Sequence, residues 1–314
     1  MSQDFFRVLC NVAQSVHICC RLKSPLKVHL ALFTVSLIYG ATFSMAKVVM
    51  PQYVQPFAFI LMRVSVAAVC IFIFHSLFVK KRITEWRDWL QLAISALFGV
   101  AFNMLLFFKG LSITTPINGA VLMLNTPIFV VVFAAIYLKE QITVLKSAGI
   151  LVAAIGALLL MGGNQLNFSS STVLGDILVT ANAIIYAFYL VYAKSLMQKY
   201  HPLTVTMWSF MFGWFVVFPF GAGEFSQIEF STFTPLIWAY IAFVTVGSTF
   251  VTYVLNAYAL QKASPALVGS YIYLQPVLAT LIAAFSGTDY LTWQKFTCML
   301  VIFTGVYLVS YKRS

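Results

Sequence analysis

Ten runs of about twenty apolar residues follow one another along the chain, at about 28–50, 57–79, 89–109, 117–138, 144–163, 173–195, 203–222, 235–258, 266–287 and 293–311. Each is long enough to cross a hydrocarbon core of roughly 30 Å. A segment that spans lipid must satisfy its own backbone N–H and C=O groups, which leaves helices or a closed barrel. A barrel would show alternating segments of about ten residues, and these runs are longer and continuously apolar. Composition agrees. Of the 314 residues 61% are hydrophobic and 9% charged, whereas a soluble domain carries about a quarter charged residues. The mean hydropathy is +0.94. The sequence predicts an all-α, multi-pass membrane protein with ten transmembrane helices.

The net charge of +11 would suit a nucleic-acid partner, but its distribution argues for topology instead. With the N-terminus inside, one side receives Arg7, Arg21, Lys23, Lys27, Lys80, Lys81, Arg82, Arg87, Lys139, Lys146, Lys194, Lys199, Lys262, Lys312 and Arg313, fifteen of the nineteen basic residues. The loops 51–56, 110–116, 164–172 and 223–234 hold none. An excess of Lys and Arg on one side orients a chain with that side in the cytoplasm, so both termini are expected to be cytoplasmic and no nucleic acid is implied. The five cysteines give no disulfide framework: Cys10, Cys19 and Cys20 fall in the tail, Cys70 and Cys298 within helices. Residues 1–27 contain no apolar core of a cleaved signal.

The chain also repeats itself. At a constant shift Tyr39, Ala46, Lys47, Met50 and Tyr53 meet Tyr186, Ala193, Lys194, Met197 and Tyr200, and one deletion later Pro56 meets Pro202. Further on, Pro116, Pro127, Glu140, Thr143, Lys146 and Gly156 meet Pro265, Pro276, Asp289, Thr292, Lys295 and Gly305. Each half thus holds five helices. Because five is odd, the second half enters the membrane upside down, giving two inverted-topology five-helix repeats, the build of carriers that work by alternating access. The predicted division is a tail at 1–27, a first repeat at 28–163, an outer linker at 164–172, a second repeat at 173–311 and a short C-terminus at 312–314. Lys295, alone among lysines in an outer loop, is then the inverted copy of cytoplasmic Lys146.

"YGATFSMAKVVMPQYVQPFAFILMRVSVAA" resembles the first two helices of an EamA domain, and "LKEQITVLKSAGILVAAIGALLL" resembles its last. "LNAYALQKASPALVGSYIYLQPVLATLIAAF" through "GVYLVS" resembles the module again. The resemblance is to ten-helix members of the drug/metabolite transporter superfamily and covers about 28–311. It implies a secondary transporter in the cytoplasmic (inner) membrane that moves a small organic metabolite, an amino acid or related solute, outward. The second copy departs from the pattern in its second helix, where "TVTMWSFMFGWFVVFPFG" has no arginine to match Arg63.

Charges inside a membrane segment are costly, roughly 2.5–3.5 kcal/mol each on insertion scales, and usually face protein or water. Arg63 lies seven residues into the second helix with no carboxylate nearby in sequence. It either lines a pathway or bonds helix-end carbonyls. Lys47, close to Pro51, either snorkels to the outer interface or faces a cavity as a gate cation; Lys109 ends the third helix and reads as interfacial. Pro127 and Pro276 fall inside the fourth helices of the two halves. Each removes an N–H and frees a carbonyl, at Met123 and Ile272, and freed groups survive at membrane depth where protein or a wet cavity satisfies them.

Around these prolines lie Asn118 with Asn125, seven apart, and Tyr271 with Gln275, four apart, spacings that put each pair on one helix face. The two bent helices are the expected cavity wall, with a packing kink as the plainer alternative. Asn103, Tyr253 and Asn256 on the third helices add polar groups, as does the stripe Asn182, Tyr186 and Tyr189. Gly149, Ala153, Gly156 and Ala157 read as a face for close helix packing. Glu140 and Asp289 are expected to cap the following helices together with Thr143 and Thr292.

No nucleotide loop, metal-ligand spacing or hydrolase motif occurs, so no cofactor or metal is expected. All eight acidic residues fall in loops or near helix ends, which gives no support to a buried proton relay unless Asp176 dips inward. The predicted partners are a small-molecule substrate and the bilayer, with the protein a monomer or weak homodimer. Two other classes stand beside the carrier: a channel or small-solute facilitator, and a membrane-embedded enzyme acting on lipid-linked substrate. The enzyme would need a buried catalytic pair, and His17, His29, His75 and His201 lie in the tail or near helix ends.

Overall fold

The computed structural model describes residues 24–79, 83, 85–161, 171–285 and 291–311. Most of the N-terminal tail, most of the linker, Asp289 and the last three residues lie outside these. The described chain runs as α1 (Ser24–Val49), α2 (Pro56–Phe78), α3 (Trp86–Ile113), α4 (Ile117–Tyr137), α5 (Val144–Leu160), α6 (Val173–Lys199), α7 (Pro202–Phe225), α8 (Pro235–Lys262), α9 (Pro265–Phe285) and α10 (Trp293–Ser310). Nine are long and apolar enough to span a membrane, and α5 is a shorter apolar helix. The ten expected helices are therefore present, and no strand occurs among the described residues.

Local chemistry sets the helix starts. Pro56, Pro116, Pro202, Pro235 and Pro265 open their helices, where a missing N–H costs nothing. Thr115, Thr143, Thr234, Ser264 and Thr292 accept the N–H three residues on, from Asn118, Lys146, Ile237, Leu267 and Lys295. Thr143 and Thr292 are thus the caps the sequence suggests. Glu140 instead reaches Lys146 Nζ at 3.4 Å.

Four helices are interrupted, in matched positions of the two halves. α3 widens into a π turn at Leu97–Ala101 and α8 at Phe243–Val251. α4 breaks at Leu124–Asn125, just before Pro127, and α9 tightens into a 3-10 turn at Tyr271–Tyr273 before Pro276. Ser36 Oγ on α1 donates to the Tyr271 carbonyl at 2.8 Å. The backbone opened by the break thus meets a hydroxyl from a neighbouring helix, as it must away from water.

Packing follows a pseudo-twofold plan. α2 pairs with α7 and α5 with α10; α6 lies against α3 and α4 as α1 lies against α8 and α9. The small-residue face of α5 is used as expected: a Cβ on Gly305 would stand 2.6 Å from the Gly149 carbonyl, so only glycine lets α5 and α10 cross this closely. Outward-facing Phe72, Ile73, Leu151, Phe215 and Phe303 are exposed, as side chains facing lipid are. At the lysine-rich end, Lys199 pairs with Glu85 at 2.9 Å and Asp88 at 2.7 Å, and Tyr200 donates to the same Asp88 carboxylate, tying α6 to the start of α3.

Candidate functional site

The broken helices surround a central cavity of about 90 Å³. Its wall is built by both halves: Leu32, Val35, Ser36, Tyr39 and Thr42 from α1, Arg63 from α2, Asn103, Met104, Phe107 and Phe108 from α3, and Met123 from α4. The second half adds Asn182 and Tyr186 from α6, Tyr253 and Asn256 from α8, and Val268, Tyr271, Ile272 and Gln275 from α9. Helices α5, α7 and α10 contribute no lining residue.

Among the described residues Arg63 is the one charged side chain in this wall, and only 3% of it is exposed. Its Nε donates to Thr249 Oγ1 at 2.9 Å and Nη2 to Ser248 Oγ at 3.2 Å, both on the π turn of α8. Nη1 has no partner. The guanidinium carbon stands 4.0 Å from the ring centre of Phe108, within range of a cation–π contact. The hydroxyls of Ser248 and Thr249 in turn donate to the Val244 carbonyl. The π turn thus supplies two oxygens that orient the guanidinium without neutralising it.

A second group of polar side chains is largely self-satisfied. Asn182 Nδ2 donates to the Asn103 carbonyl at 2.6 Å. Tyr253 Oη donates to the Gly99 carbonyl at 2.9 Å, in the π turn of α3, and lies 3.3 Å from Asn103 Oδ1. The Tyr39 and Thr252 hydroxyls are 3.2 Å apart. Tyr271 Oη meets His29 Nδ1 at 2.6 Å.

Of the residues singled out from sequence, Arg63, Asn103, Asn182, Tyr186, Tyr253, Asn256, Tyr271 and Gln275 share this cavity. Three do not line it. Tyr189 packs behind the wall, its ring occupying the space beside Gly99 where a Cβ would stand, and it lines a narrower crevice with Tyr39 and Tyr186. Asn125 turns back to the Leu122 carbonyl at 3.2 Å. Asn118 is fully buried near the end of the bundle opposite the lysine-rich one, its Nδ2 3.3 Å from Asp176 Oδ1. Asp176 does dip inward, but its carboxylate also accepts from Thr114 and Thr172 and does not reach the cavity. Pro127 and Pro276 sit at the second and third positions of the segments that restart after each break.

Lys47 has a role that neither sequence reading described. Its Nζ donates to the carbonyls of Leu111 at 2.9 Å, Ser112 at 3.2 Å and Thr114 at 3.0 Å, closing the end of α3. Its twin Lys194 does the same for α8, donating to Leu260, Gln261 and Ala263 at 2.6, 3.2 and 2.8 Å. A lysine that supplies three donors satisfies most of the orphan carbonyls of a helix end. Lys109 lies over the Phe57 ring at 5.4 Å. The sequence reading missed Ser36, Tyr39 and Thr42. The repeat carried the signal for Tyr39, since it pairs with Tyr186.

Ten helices in two matched halves, broken around a central cavity that carries polar groups and one arginine, define a multi-pass membrane protein with the build of a transporter. The profile of the EamA-like transporter family matches the chain twice, over residues 26–162 and 173–311. The chain belongs to that family. Among its relatives, an uncharacterized transporter of Archaeoglobus fulgidus is 26% identical over 91% of this chain and 98% of its own length. The uncharacterized transporters YyaM and YoaV of Bacillus subtilis are each 26% identical, over 88% and 92% of this chain and 92% and 98% of their own lengths. One crystal structure, 20% identical, superposes with a TM-score of 0.72 over 90% of this chain and 96% of the other, which shows a shared fold. Family and relatives point to a membrane transporter rather than an enzyme.

Proposed function

We propose that the protein is a secondary carrier that moves a small carboxylate-bearing metabolite outward across the cytoplasmic membrane by alternating access. The observation that carries this reading is Arg63 Nη1, a donor without a hydrogen-bond partner among the described residues, on a buried arginine that lines the central cavity. A buried charge of this kind is costly unless a counter-charge meets it, and a substrate carboxylate is the group whose geometry fits the fork. The matched breaks of α4 and α9 and the matched π turns of α3 and α8 support alternating access, since each half carries the same flexible points. One copy encloses the whole cavity, which supports transport by a single chain, as a monomer or in a weak homodimer. The lysine distribution supports cytoplasmic termini: reporter fusions after Lys199 and after Ser314 should read inside and one after Asn167 outside.

Arg63→Lys tests the role of the fork. It keeps the charge and loses the paired donors, so in proteoliposomes a carboxylate should lose about tenfold in apparent affinity, while the amine of the same carbon skeleton fails to compete in wild type and variant alike. If Arg63→Lys only lowers thermal stability in detergent and leaves the order of competitors unchanged, the arginine is a scaffold residue and the reading fails.

A further inference from the structure

The cavity holds a charge of one sign only. Arg63 lines it, and among the described residues no aspartate, glutamate, lysine or histidine does. Asp88 is engaged by Lys199 and Tyr200, and Asp176 by Thr114, Asn118 and Thr172, both near helix ends. The acceptors open to a ligand ammonium are neutral: the Asn103 carbonyl already receives Asn182 and its Oδ1 lies within reach of Tyr253, and the Asn256 and Gln275 amides carry no charge. The rest of the wall mixes Phe107, Phe108 and Met104 with neutral polar groups, among them Tyr39, Tyr253, Asn256 and Gln275.

We infer that the cavity selects an organic acid with no ammonium group, a carboxylate on an apolar or aromatic body, over the amino acid of the same skeleton. The inference rests on Arg63 receiving the carboxylate, as proposed above. An amino acid would bring its ammonium into a small space that already holds an uncompensated cation. Like charges about 6 Å apart, at an effective dielectric constant of about 20, repel enough to weaken binding on the order of a hundredfold. Neutral acceptors in the wall, such as the Asn256 and Gln275 amides, offset part of this, and a net disadvantage of about tenfold is expected. The acid lacks this repulsion and gives Nη1 its partner.

The test uses the purified full-length chain and matched sets of three compounds: 3-phenylpropanoate, phenylalanine and phenethylamine; 4-methylpentanoate, leucine and 3-methylbutylamine; 3-(indol-3-yl)propanoate, tryptophan and tryptamine. The concentration giving half-maximal thermal stabilisation is read for each, and counterflow in proteoliposomes is read for the tightest acid. In at least one set the acid should act at about a tenth of the amino-acid concentration, with the amine inactive. Arg63→Gln should abolish the advantage. Gln275→Glu places an anion in the same wall without touching the arginine, and it should narrow the gap between amino acid and acid even if Arg63→Gln does not fold. Acid and amino acid equal in every set, both above the amine, would overturn this inference and leave the carboxylate reading standing. If the three compounds are equal, or none stabilises the protein, both fall. A gap that Gln275→Glu leaves unchanged also overturns the inference.

Discussion

Lys47 and Lys194 are copies of one another in sequence and in use. Each sends its ammonium to three carbonyls at the end of the third helix of its half, at opposite ends of the bundle. Arg63 has no such copy. Since Pro56 meets Pro202, its counterpart is Ser209, buried at 1% exposure with a hydroxyl that meets no hydrogen-bond partner among the described residues. The two third helices carry the difference further. The π turn of α8 offers Ser248 and Thr249 to the guanidinium, where the π turn of α3 has Gly99 and Val100 and instead accepts Tyr253. The scaffold obeys the repeat and the cavity charge breaks it. A two-state carrier needs both halves to move alike, whereas a ligand with two unlike ends is better read by an asymmetric wall.

The largest effect should come from the symmetric part. Lys47→Met and Lys194→Met each strip the donor from three helix-end carbonyls, and loss of charged hydrogen bonds of this kind costs on the order of 3 kcal/mol. Melting of the two variants in detergent should therefore show large and similar losses. A deep loss for one and a trivial one for the other would mean that the shared geometry does not reflect a shared role.

Next in size is a contrast within the bent helices. Gln275 lines the cavity and Asn125 does not. Gln275→Leu removes a polar group from the wall and should lower the apparent affinity for a transported carboxylate about tenfold, while Asn125→Leu should change it by less than about twofold. Equal effects in proteoliposome uptake would show that the wall reaches farther along α4 than the cavity does.

The same contrast explains what the sequence could and could not disclose. Segment length and apolarity disclosed the helices, because a bilayer leaves little other choice, and the register of matched residues disclosed two halves. Asn118 and Asn125 were placed on one face on the premise of an unbroken helix. The break at Leu124–Asn125 rotates the following segment and ends that register, so Asn118 goes to Asp176 and Asn125 to its own backbone. The π turns that bring Ser248 and Thr249 to Arg63 leave no period in an apolar run, because an inserted residue shifts the face without changing the composition. Lys47 reads from sequence as a snorkelling or gate cation because its acceptors are carbonyls more than sixty residues away, and backbone acceptors carry no sequence signature. Tyr39 is different: its match to Tyr186 was visible, and repeat symmetry alone would have placed it in the wall.

The smallest expected effect bears most directly on the asymmetry. Ser209 occupies the place of Arg63 in the second half, and its hydroxyl is buried with no partner among the described residues. Leaving a buried hydroxyl unbonded costs about 1–3 kcal/mol in mutational series, part of which is recovered when the group is removed. The cavity left by one oxygen is small, so the loss of packing is slight. Ser209→Ala should therefore be neutral or stabilising by up to about 1 kcal/mol, read as a Tm unchanged or raised in detergent. It should leave the preference for carboxylate over amine untouched, because Ser209 does not line the cavity. The outcome that sinks the argument is a fall in carboxylate preference with normal stability. Ser209 would then act on substrate from the second half when the cavity opens the other way, and the division between a symmetric scaffold and a one-sided charge would be a property of a single conformation.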